Sequence, residues 1–275
     1  MDSTIWQAIR PLDLDALRST FRAAQPFPFV AIDGFLRPEF ADELNRTYPS
    51  VAEAERTGHT FDAVNERGKT QVTAAEGFPD PVRRLNEVLA HPDWLAALSH
   101  VTGIPELLAD EKLVGGGMHV MRSGALLDVH VDFNLLPDRP LHRRLNILVF
   151  MNQGWQSAWG GGLELWDAAV EHRAHRFLPE LNRCVIFETS QRSFHGVEPV
   201  TCPPDRARRS FAAYYYTREA PAGWDGRRHS TVFRARPDER FKGSVLMPLA
   251  QIGKNLRRAA RSALRGGRDR GTGQR

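Results

Sequence analysis

A histidine and an aspartate stand one residue apart at His130 and Asp132, and a second histidine, His195, follows later in the chain. Two imidazoles and one carboxylate on one side of an ion make a facial triad that suits Fe(II) and leaves three coordination positions open. The His-x-Asp pair alone is weak evidence, because a chain with ten histidines and 33 acidic residues produces such pairs by chance. The alternative is a surface pair joined by a hydrogen bond, with His195 as a core histidine.

A guanidinium and a hydroxyl stand close together after His195, at Arg208 and Ser210. A buried arginine offers two parallel N–H donors to a carboxylate, and a neighbouring hydroxyl adds a third. Arg206 and Arg209 are competing candidates. Because residues two apart on a strand share one face, we favour Arg208 and predict a carboxylate-binding site there.

Short apolar runs after Leu113 indicate the strands that must carry these residues. Alternation along residues 126–133 puts His130 and Asp132 on one face. Eight runs, rich in branched and aromatic residues and separated by turn residues, predict a sandwich or double-sheet jelly roll. The runs are residues 118–123, 126–133, 145–152, 161–167, 175–180, 183–190, 194–200 and 209–217.

The first 112 residues are typical of a helical support for such a core. Helical periodicity appears in residues 12–25, 37–49 and 80–104, the last broken near His91, and a strand is expected within residues 26–35. Residues 51–77 are polar without a clean period, and we expect a long loop or lid there. The predicted organisation is one domain over 1–217 (support 1–112, core 113–217), followed by a C-terminal extension over 218–275.

The combination of His130-x-Asp132, His195 and Arg208-x-Ser210 resembles the 2-oxoglutarate- and Fe(II)-dependent dioxygenases, most closely their prolyl 4-hydroxylase-like branch. Three further segments, residues 26–44, 143–155 and 160–167, are similar to the entry strand and helix and to the core motifs of that branch. The resemblance covers roughly residues 25–217, and the order of its motifs makes it specific.

The resemblance implies a mainly β fold with flanking helices (α+β), built on a cupin-like double-stranded β-helix. It also implies that His130, Asp132 and His195 are the catalytic Fe(II) ligands, and that Arg208, assisted by Ser210, binds the distal carboxylate of 2-oxoglutarate. Substrate hydroxylation with O₂ would then accompany conversion of the co-substrate to succinate and CO₂. Ascorbate is a further candidate cofactor.

Two departures from the family pattern bear on the co-substrate. Met121 stands where many members have a tyrosine that touches 2-oxoglutarate, and Phe150 replaces another common tyrosine. The pocket would therefore depend more on Arg208 and Ser210. The carboxylate of Asp132 is present, which favours hydroxylation over halogenation.

The substrate is not encoded in these motifs, because loops decide specificity on this fold. We expect a small molecule or a glycan, since no peptide-binding module is evident. Two alternatives stay open: a peptidyl, prolyl-type hydroxylase, and a non-catalytic cupin-like module that binds metal or sugar. Cupins usually carry His-x-His, which is absent here.

Several other residues have plain structural interpretations. Glu164 is expected in a structural salt bridge, and Cys184 as a small apolar residue within a strand. Tryptophans 155, 159 and 166 could stack on a sugar, but core and rim packing is an equal alternative. Histidines 119, 142, 172 and 175 have no partners in the motif and are expected to be ordinary polar residues.

The positive charge of the chain is concentrated at its end. Of a net charge of +4, the segment 254–275 carries eight basic residues and one acid, so the rest is mildly acidic at −3. This distribution argues against a nucleic-acid-binding fold. The tail is amphipathic over residues 249–265, and three alternatives stay open: a solvated end, an anionic membrane surface or a partner. The N-terminus has no signal-like apolar region and cysteines are few, so a cytoplasmic location is expected.

Overall fold

The structure is a computed structural model that describes residues 5–136, 138–239 and 246–247. The amphipathic tail predicted over residues 249–265 lies outside the described residues, so the three interpretations of it remain predictions. No helix in the described ranges has the length and apolar character needed to cross a bilayer.

The described N-terminal region supplies five α-helices that cover one side of the sheet. The first begins after Asp13, whose side chain accepts a hydrogen bond from the Ala16 amide, and Pro92 starts the fifth directly after the fourth ends. The predicted helical support is thereby confirmed. The helices are α1 (Leu14–Ala23), α2 (Pro38–Thr47), α3 (Val51–Thr57), α4 (Asp80–Ala90) and α5 (Pro92–Thr102).

Antiparallel strands curl into the half-barrel of a jelly roll, as predicted. The strands are β1 (Phe29–Asp33), β2 (His59–Ala63), β3 (Glu66–Val72), β4 (Leu108–Ala109), β5 (Gly117–Val131), β6 (His142–Phe150), β7 (Leu163–Trp166), β8 (Arg173–Phe177), β9 (Arg183–Glu188), β10 (His195–Val197), β11 (Arg208–Thr217) and β12 (Val232–Arg234). The main path through the sheet is β1-β9-β6-β11-β5-β10-β7-β8, with β3 and β12 also pairing with β5. The first two predicted runs form one continuous strand, β5.

A buried hydrogen-bond chain joins the helical layer to the sheet. The Trp94 indole donates to the Tyr215 hydroxyl at 3.0 Å, and that hydroxyl donates to the Leu89 carbonyl at 3.0 Å. These side chains lie within the main apolar core, which packs α1, α2, α4 and α5 against the outer face of β6, β9 and β11. The opposite, concave face of the sheet is left free to carry polar groups.

The expectation of a long loop over residues 51–77 was wrong, whereas a lid role for this segment stays a prediction. This segment forms α3, which has a capping box between Ser50 and Glu53, followed by the hairpin β2–β3 that pairs with β5. The strand period was hidden because buried positions on β3 are polar: Lys69, Thr70 and Gln71 are all less than 9% exposed.

The segment after residue 217 adds β12 to the same sheet, where Phe233 pairs with His130. The proposed domain boundary at residue 217 stays a prediction. The position of β12 nevertheless shows that residues of the extension reach β5, the strand that leads into the His-x-Asp pair.

Candidate active site

The three residues of the sequence-predicted triad converge on one point. His130 on β5 and His195 on β10 are direct register partners on neighbouring antiparallel strands, and their ring centroids lie 4.3 Å apart. Asp132 follows β5, with one carboxylate oxygen 3.6 Å from His130 Nε2 and the other 3.4 Å from His195 Nε2. One ligand atom from each residue lies within 4.8 Å of the others.

Backbone carbonyls set the tautomer of both rings. His130 Nδ1 donates to the Asp128 carbonyl at 2.8 Å, and His195 Nδ1 donates to the Ser193 carbonyl at 2.9 Å. Each Nε2 therefore carries its lone pair toward the shared centre, which is the arrangement of a metal-binding histidine with an oriented second nitrogen.

The Asp132 carboxylate is held by two side chains from β6. Asn146 donates its amide to Asp132 Oδ2 at 2.8 Å, and the Arg143 guanidinium lies 3.0 Å from the same oxygen. Arg143 also donates to the Asn146 amide oxygen from Nε at 3.0 Å and from Nη2 at 2.8 Å. This bonding fixes the carboxylate with its other oxygen toward His130.

The protonation states suit metal binding. Burial opposes the charge of Asp132, but Arg143 and the two histidines hold the pKa of this carboxyl well below its usual value. Burial, with the neighbouring His130, lowers the pKa of His195 to about 3. At neutral pH the site therefore presents a carboxylate and a neutral His195 imidazole, so no proton competes with a cation at either group.

The donor set and its spacing fit a transition-metal ion of the Fe(II) type. Neighbouring ligand atoms of an ion with bonds of about 2.1 Å lie about 3 Å apart, and the measured separations of 3.4 and 3.6 Å are slightly larger. Nitrogen and carboxylate ligands on one side match the two-histidine, one-carboxylate triad.

Arg208 is a buried cation that has no counter-ion in the described part of the chain. It is 1% exposed, and among the described residues it forms no ion pair with a carboxylate. Its Nη2 has no hydrogen-bond partner, while Nε donates to the Gly161 carbonyl at 2.6 Å and Nη1 donates to Ser210 Oγ at 3.3 Å. Burial lowers the pKa of Arg208 to about 10, so it remains charged at neutral pH. A buried charge of this kind calls for an anionic partner.

Glycine at position 161 allows the Arg208 side chain to pass. Its φ is +70°, and a Cβ atom there would lie 3.2 Å from both Arg208 Cδ and the Trp155 ring. Met121, at the position of the missing family tyrosine, has its sulfur 3.6 Å from Arg208 Nη1.

The neighbouring Arg209 points to the other face, where it donates to the carbonyl and side chain of Asn45. Arg208, and not Arg209, therefore lines the cavity that the triad residues also line.

One cavity of about 270 Å³ connects the two halves of the site, since all three triad residues and Arg208 line it. A wider chamber of about 480 Å³ lies beside it and shares Asp132, Phe133 and Arg143 with the inner cavity. The arrangement therefore has an inner space for a metal and a small anion and an outer space for a larger molecule.

Residues 116–216 match the family described as the 2OG-Fe(II) oxygenase superfamily. The chain contains a 2OG-Fe(II) oxygenase domain. It is accordingly a 2-oxoglutarate-dependent non-heme iron dioxygenase whose cofactor is Fe(II) and whose co-substrate is 2-oxoglutarate. Substrate and O₂ are its partners in the reaction.

Solved structures with the same fold include prolyl hydroxylases, in agreement with the branch that the sequence motifs resemble. The prolyl hydroxylase from Trichoplax adhaerens, in complex with a hypoxia inducible factor peptide, is 17% identical over 74% of this chain and 90% of its own, with a TM-score of 0.53. The Pseudomonas putida prolyl-4-hydroxylase is 16% identical over 75% of this chain and 100% of its own, with a TM-score of 0.52. The search of curated proteins found no match.

A prolyl 4-hydroxylase from Phytophthora capsici is also 16% identical, covering 88% of this chain and 78% of its own with a TM-score of 0.52. At these identities the likeness establishes the fold of the oxygenase and leaves its substrate open.

Sequence reasoning did not assign to the site the buried polar residues that line the inner cavity beside the triad and Arg208, which are Lys69, Gln71, His119, Arg143 and Asn146. Burial, with the nearby Lys69, lowers the pKa of His119 well below its usual value, so its ring is neutral at pH 7. Lys69 shares one register row with Met121 and Arg208, and His119 shares another with Gln71 and Ser210, so these relationships become visible only once the strand pairing is known.

The structural interpretations of Glu164 and Cys184 are confirmed. Glu164 is 2% exposed and pairs with Arg173 at 3.1 Å and Arg236 at 2.7 Å. Cys184 is buried and, like Cys202, is a free thiol. The residues lining the two spaces include none of tryptophans 155, 159 and 166, and all three pack in or against apolar clusters. Of the remaining histidines in the described ranges, His142 and His229 line the outer chamber.

Proposed function

We propose that the protein hydroxylates a small molecule or a glycan, with His130, Asp132 and His195 as the Fe(II) ligands and Arg208 as the anchor of 2-oxoglutarate. The single observation that carries this assignment is the shared cavity, in which the triad and an unpaired buried guanidinium face one space of about 270 Å³. An ordinary salt-bridged core would not leave Arg208 without an acidic partner.

The protein's own contribution is position and charge. The two Nε2 atoms and the carboxylate hold the ion on one side, while Arg208 and Ser210 receive the distal carboxylate of the co-substrate through charge-assisted hydrogen bonds. Arg143 and Asn146 keep Asp132 ionised and oriented. When bound, Fe(II) and 2-oxoglutarate supply O₂ activation and the oxidising equivalents. Burial of the centre excludes bulk water from that chemistry.

The outer chamber supports a small, polar substrate. Its walls come from Phe133 after β5, from residues 188–192 and from residues 221–225, and they combine two aromatic rings with amide, hydroxyl and charged groups. A partly enclosed space of about 480 Å³ lies within the range of small-molecule sites, roughly 300–1,000 Å³. Aromatic faces beside hydrogen-bonding groups suit a sugar or an amino-acid-like ring.

A peptidyl, prolyl-type hydroxylase is the second candidate. The observation that favours it is the common fold with three prolyl hydroxylase structures. It would require the outer chamber to admit an extended chain rather than a discrete molecule. A non-catalytic binding module has no comparable support.

Succinate formation measured across a panel of sugars, amino acids, lipids and proline-containing peptides tests the proposal. We expect one class of small molecule or glycan to stimulate succinate release and to gain one oxygen atom by mass. Stimulation by proline-containing peptides alone would favour the second candidate. Absence of any 2-oxoglutarate-dependent succinate would overturn the proposal.

A further inference from the structure

Arg236 lies in the C-terminal extension, beyond residues 116–216 that match the oxygenase family, yet it is buried. Its side chain is 8% exposed and follows β12 by two residues. Burial opposes its charge, but Glu164 and other acids raise the pKa of Arg236 above its usual value. A buried, paired guanidinium this far from the family core requires a structural explanation.

The guanidinium of Arg236 joins three strands at once. Nε and Nη2 donate to Glu164 Oε2 on β7 at 2.9 and 2.7 Å. Nη1 donates to Asp128 Oδ1 on β5 at 3.4 Å, and Nη2 donates to the Val197 carbonyl on β10 at 3.1 Å. Two of these strands, β5 and β10, carry the histidines, and the third, β7, pairs with β10.

The contacts of Arg236 with Asp128, Val197 and Glu164 each lie one or two residues from a candidate ligand or its register partner. Asp128 is the residue whose carbonyl orients the His130 ring, and Val197 stands two residues after His195. Glu164 is the register partner of the residue that follows His195. Arg236 therefore lies behind the imidazole pair rather than in the cavity.

The strand that precedes Arg236 covers His130 from the other side. Phe233 on β12 is the register partner of His130, with ring centroids 5.4 Å apart, and it lines the inner cavity together with Thr231. The extension thus closes one side of the site, and the buried ion pairs of Arg236 hold it in place.

We propose that Arg236 is a positioning residue for the metal centre, because it fixes β5, β7 and β10 in the register that brings the two imidazoles together. The proposal rests on the assignment of His130 and His195 as ligands. It makes metal affinity depend on a residue outside the matched family segment. Changes to outer contacts of metal ligands typically weaken binding about 10- to 100-fold.

A variant that removes only Arg236 or only Glu164 would not distinguish a positioning role from a role in folding, since it leaves a buried charge unpaired. The informative variant is therefore R236M/E164M, which replaces the buried pair by apolar side chains. Arg173, the other partner of Glu164, keeps its 2.6 Å contact to Glu198 in that variant. Arg236→Lys retains the charge but cannot reach three strands with one planar group.

Co(II) titration of the full chain, followed by its visible spectrum, measures the effect, with thermal unfolding of the metal-free protein alongside. We expect R236M/E164M to be folded, to bind Co(II) about 10- to 100-fold more weakly, and to show altered band intensities. Arg236→Lys should fall between it and the wild type. The matched control is Arg183→Met, whose cross-strand ion pair with Asp33 joins β9 to β1 away from the site; it should match the wild type.

A folded R236M/E164M protein with wild-type Co(II) affinity and spectrum would overturn the inference. If that double variant does not fold, Arg236→Lys decides: wild-type affinity in this variant would equally contradict a positioning role. A wild-type protein that binds no Co(II) would instead refute the proposed metal ligands themselves. The two failures are therefore distinguishable.

Discussion

His130 and His195 are direct register partners on neighbouring antiparallel strands, although 64 residues of chain separate them. Cross-strand partners present their side chains on the same face of a sheet, so the pairing of β5 with β10 is enough to bring the two imidazoles together. Asp132 then completes the site from the position directly after β5, the strand that carries His130. The metal centre is thus a property of strand register.

Arg208→Met should abolish tight 2-oxoglutarate binding without lowering the stability of the protein in the absence of 2-oxoglutarate. The guanidinium has no acidic partner among the residues that the structure describes, so its removal leaves no buried charge behind. We expect the Kd for 2-oxoglutarate to rise roughly 30-fold or more, as measured by anaerobic calorimetry with Mn(II). Arg209→Met, on the opposite face, is the control and should bind normally. Equal losses in both variants would contradict the assignment.

Asn146→Leu should weaken metal binding while leaving all three proposed ligands in place. The variant removes the amide that donates to Asp132 Oδ2 and accepts from Arg143. The carboxylate then loses an orienting contact, and we expect Co(II) affinity to fall about 10- to 100-fold. An unchanged affinity would show that Arg143 alone orients the carboxylate.

His119 should make the stability of the metal-free protein depend on pH below about 6.5. Burial keeps the folded-state pKa of His119 well below 6.5, whereas the unfolded chain takes up a proton as the pH falls through that value. The unfolded state then binds more protons, so the free energy of unfolding decreases by up to about 1.4 kcal/mol per pH unit. In His119→Gln this contribution is absent.

Urea unfolding at pH 7.5, 6 and 5 measures that difference. The gap between wild type and His119→Gln should be constant above pH 6.5 and shift in favour of the variant as the pH falls. Parallel profiles for the two proteins would rule out a neutral His119 in the folded state.

Trp224→Ala should raise the KM for the substrate that the panel identifies, with little effect on 2-oxoglutarate binding. Trp224 lines the outer chamber and contacts His142 at a centroid distance of 4.6 Å, away from Arg208. Removal of an aromatic contact of this kind costs about 1 kcal/mol or more, or roughly fivefold in KM. Trp159→Ala, outside both spaces, is the control. A larger effect of the control would exclude the chamber as the substrate site.

The His130–Asp132 pair, the jelly roll and the choice of Arg208 could be predicted from the sequence because each depends on the two-residue period of a strand, and His195 could be added because the motifs follow one another in the order of the family. A two-residue period puts His130 with Asp132 and Arg208 with Ser210. The β2–β3 hairpin escaped prediction because its inner face, with Lys69 and Gln71, is polar where a strand pattern normally shows apolar residues.

Arg143 and Arg236 escaped prediction for a different reason. Their roles depend on which strands become neighbours, and this information is not contained in the spacing of residues along one strand. A short strand such as β12, with three residues among arginines and prolines, has no readable period. Contacts that stabilise a site from behind therefore emerge only with the tertiary structure.

The most direct test of the metal and co-substrate assignment is the visible spectrum of the protein with Fe(II) and 2-oxoglutarate under anaerobic conditions. The wild type should show a weak charge-transfer band that is absent from His130→Ala and Asp132→Ala and is retained in Arg209→Met. A wild-type protein without the band, or Asp132→Ala with an undiminished band, would contradict the assignment of His130, Asp132 and His195 as the iron ligands.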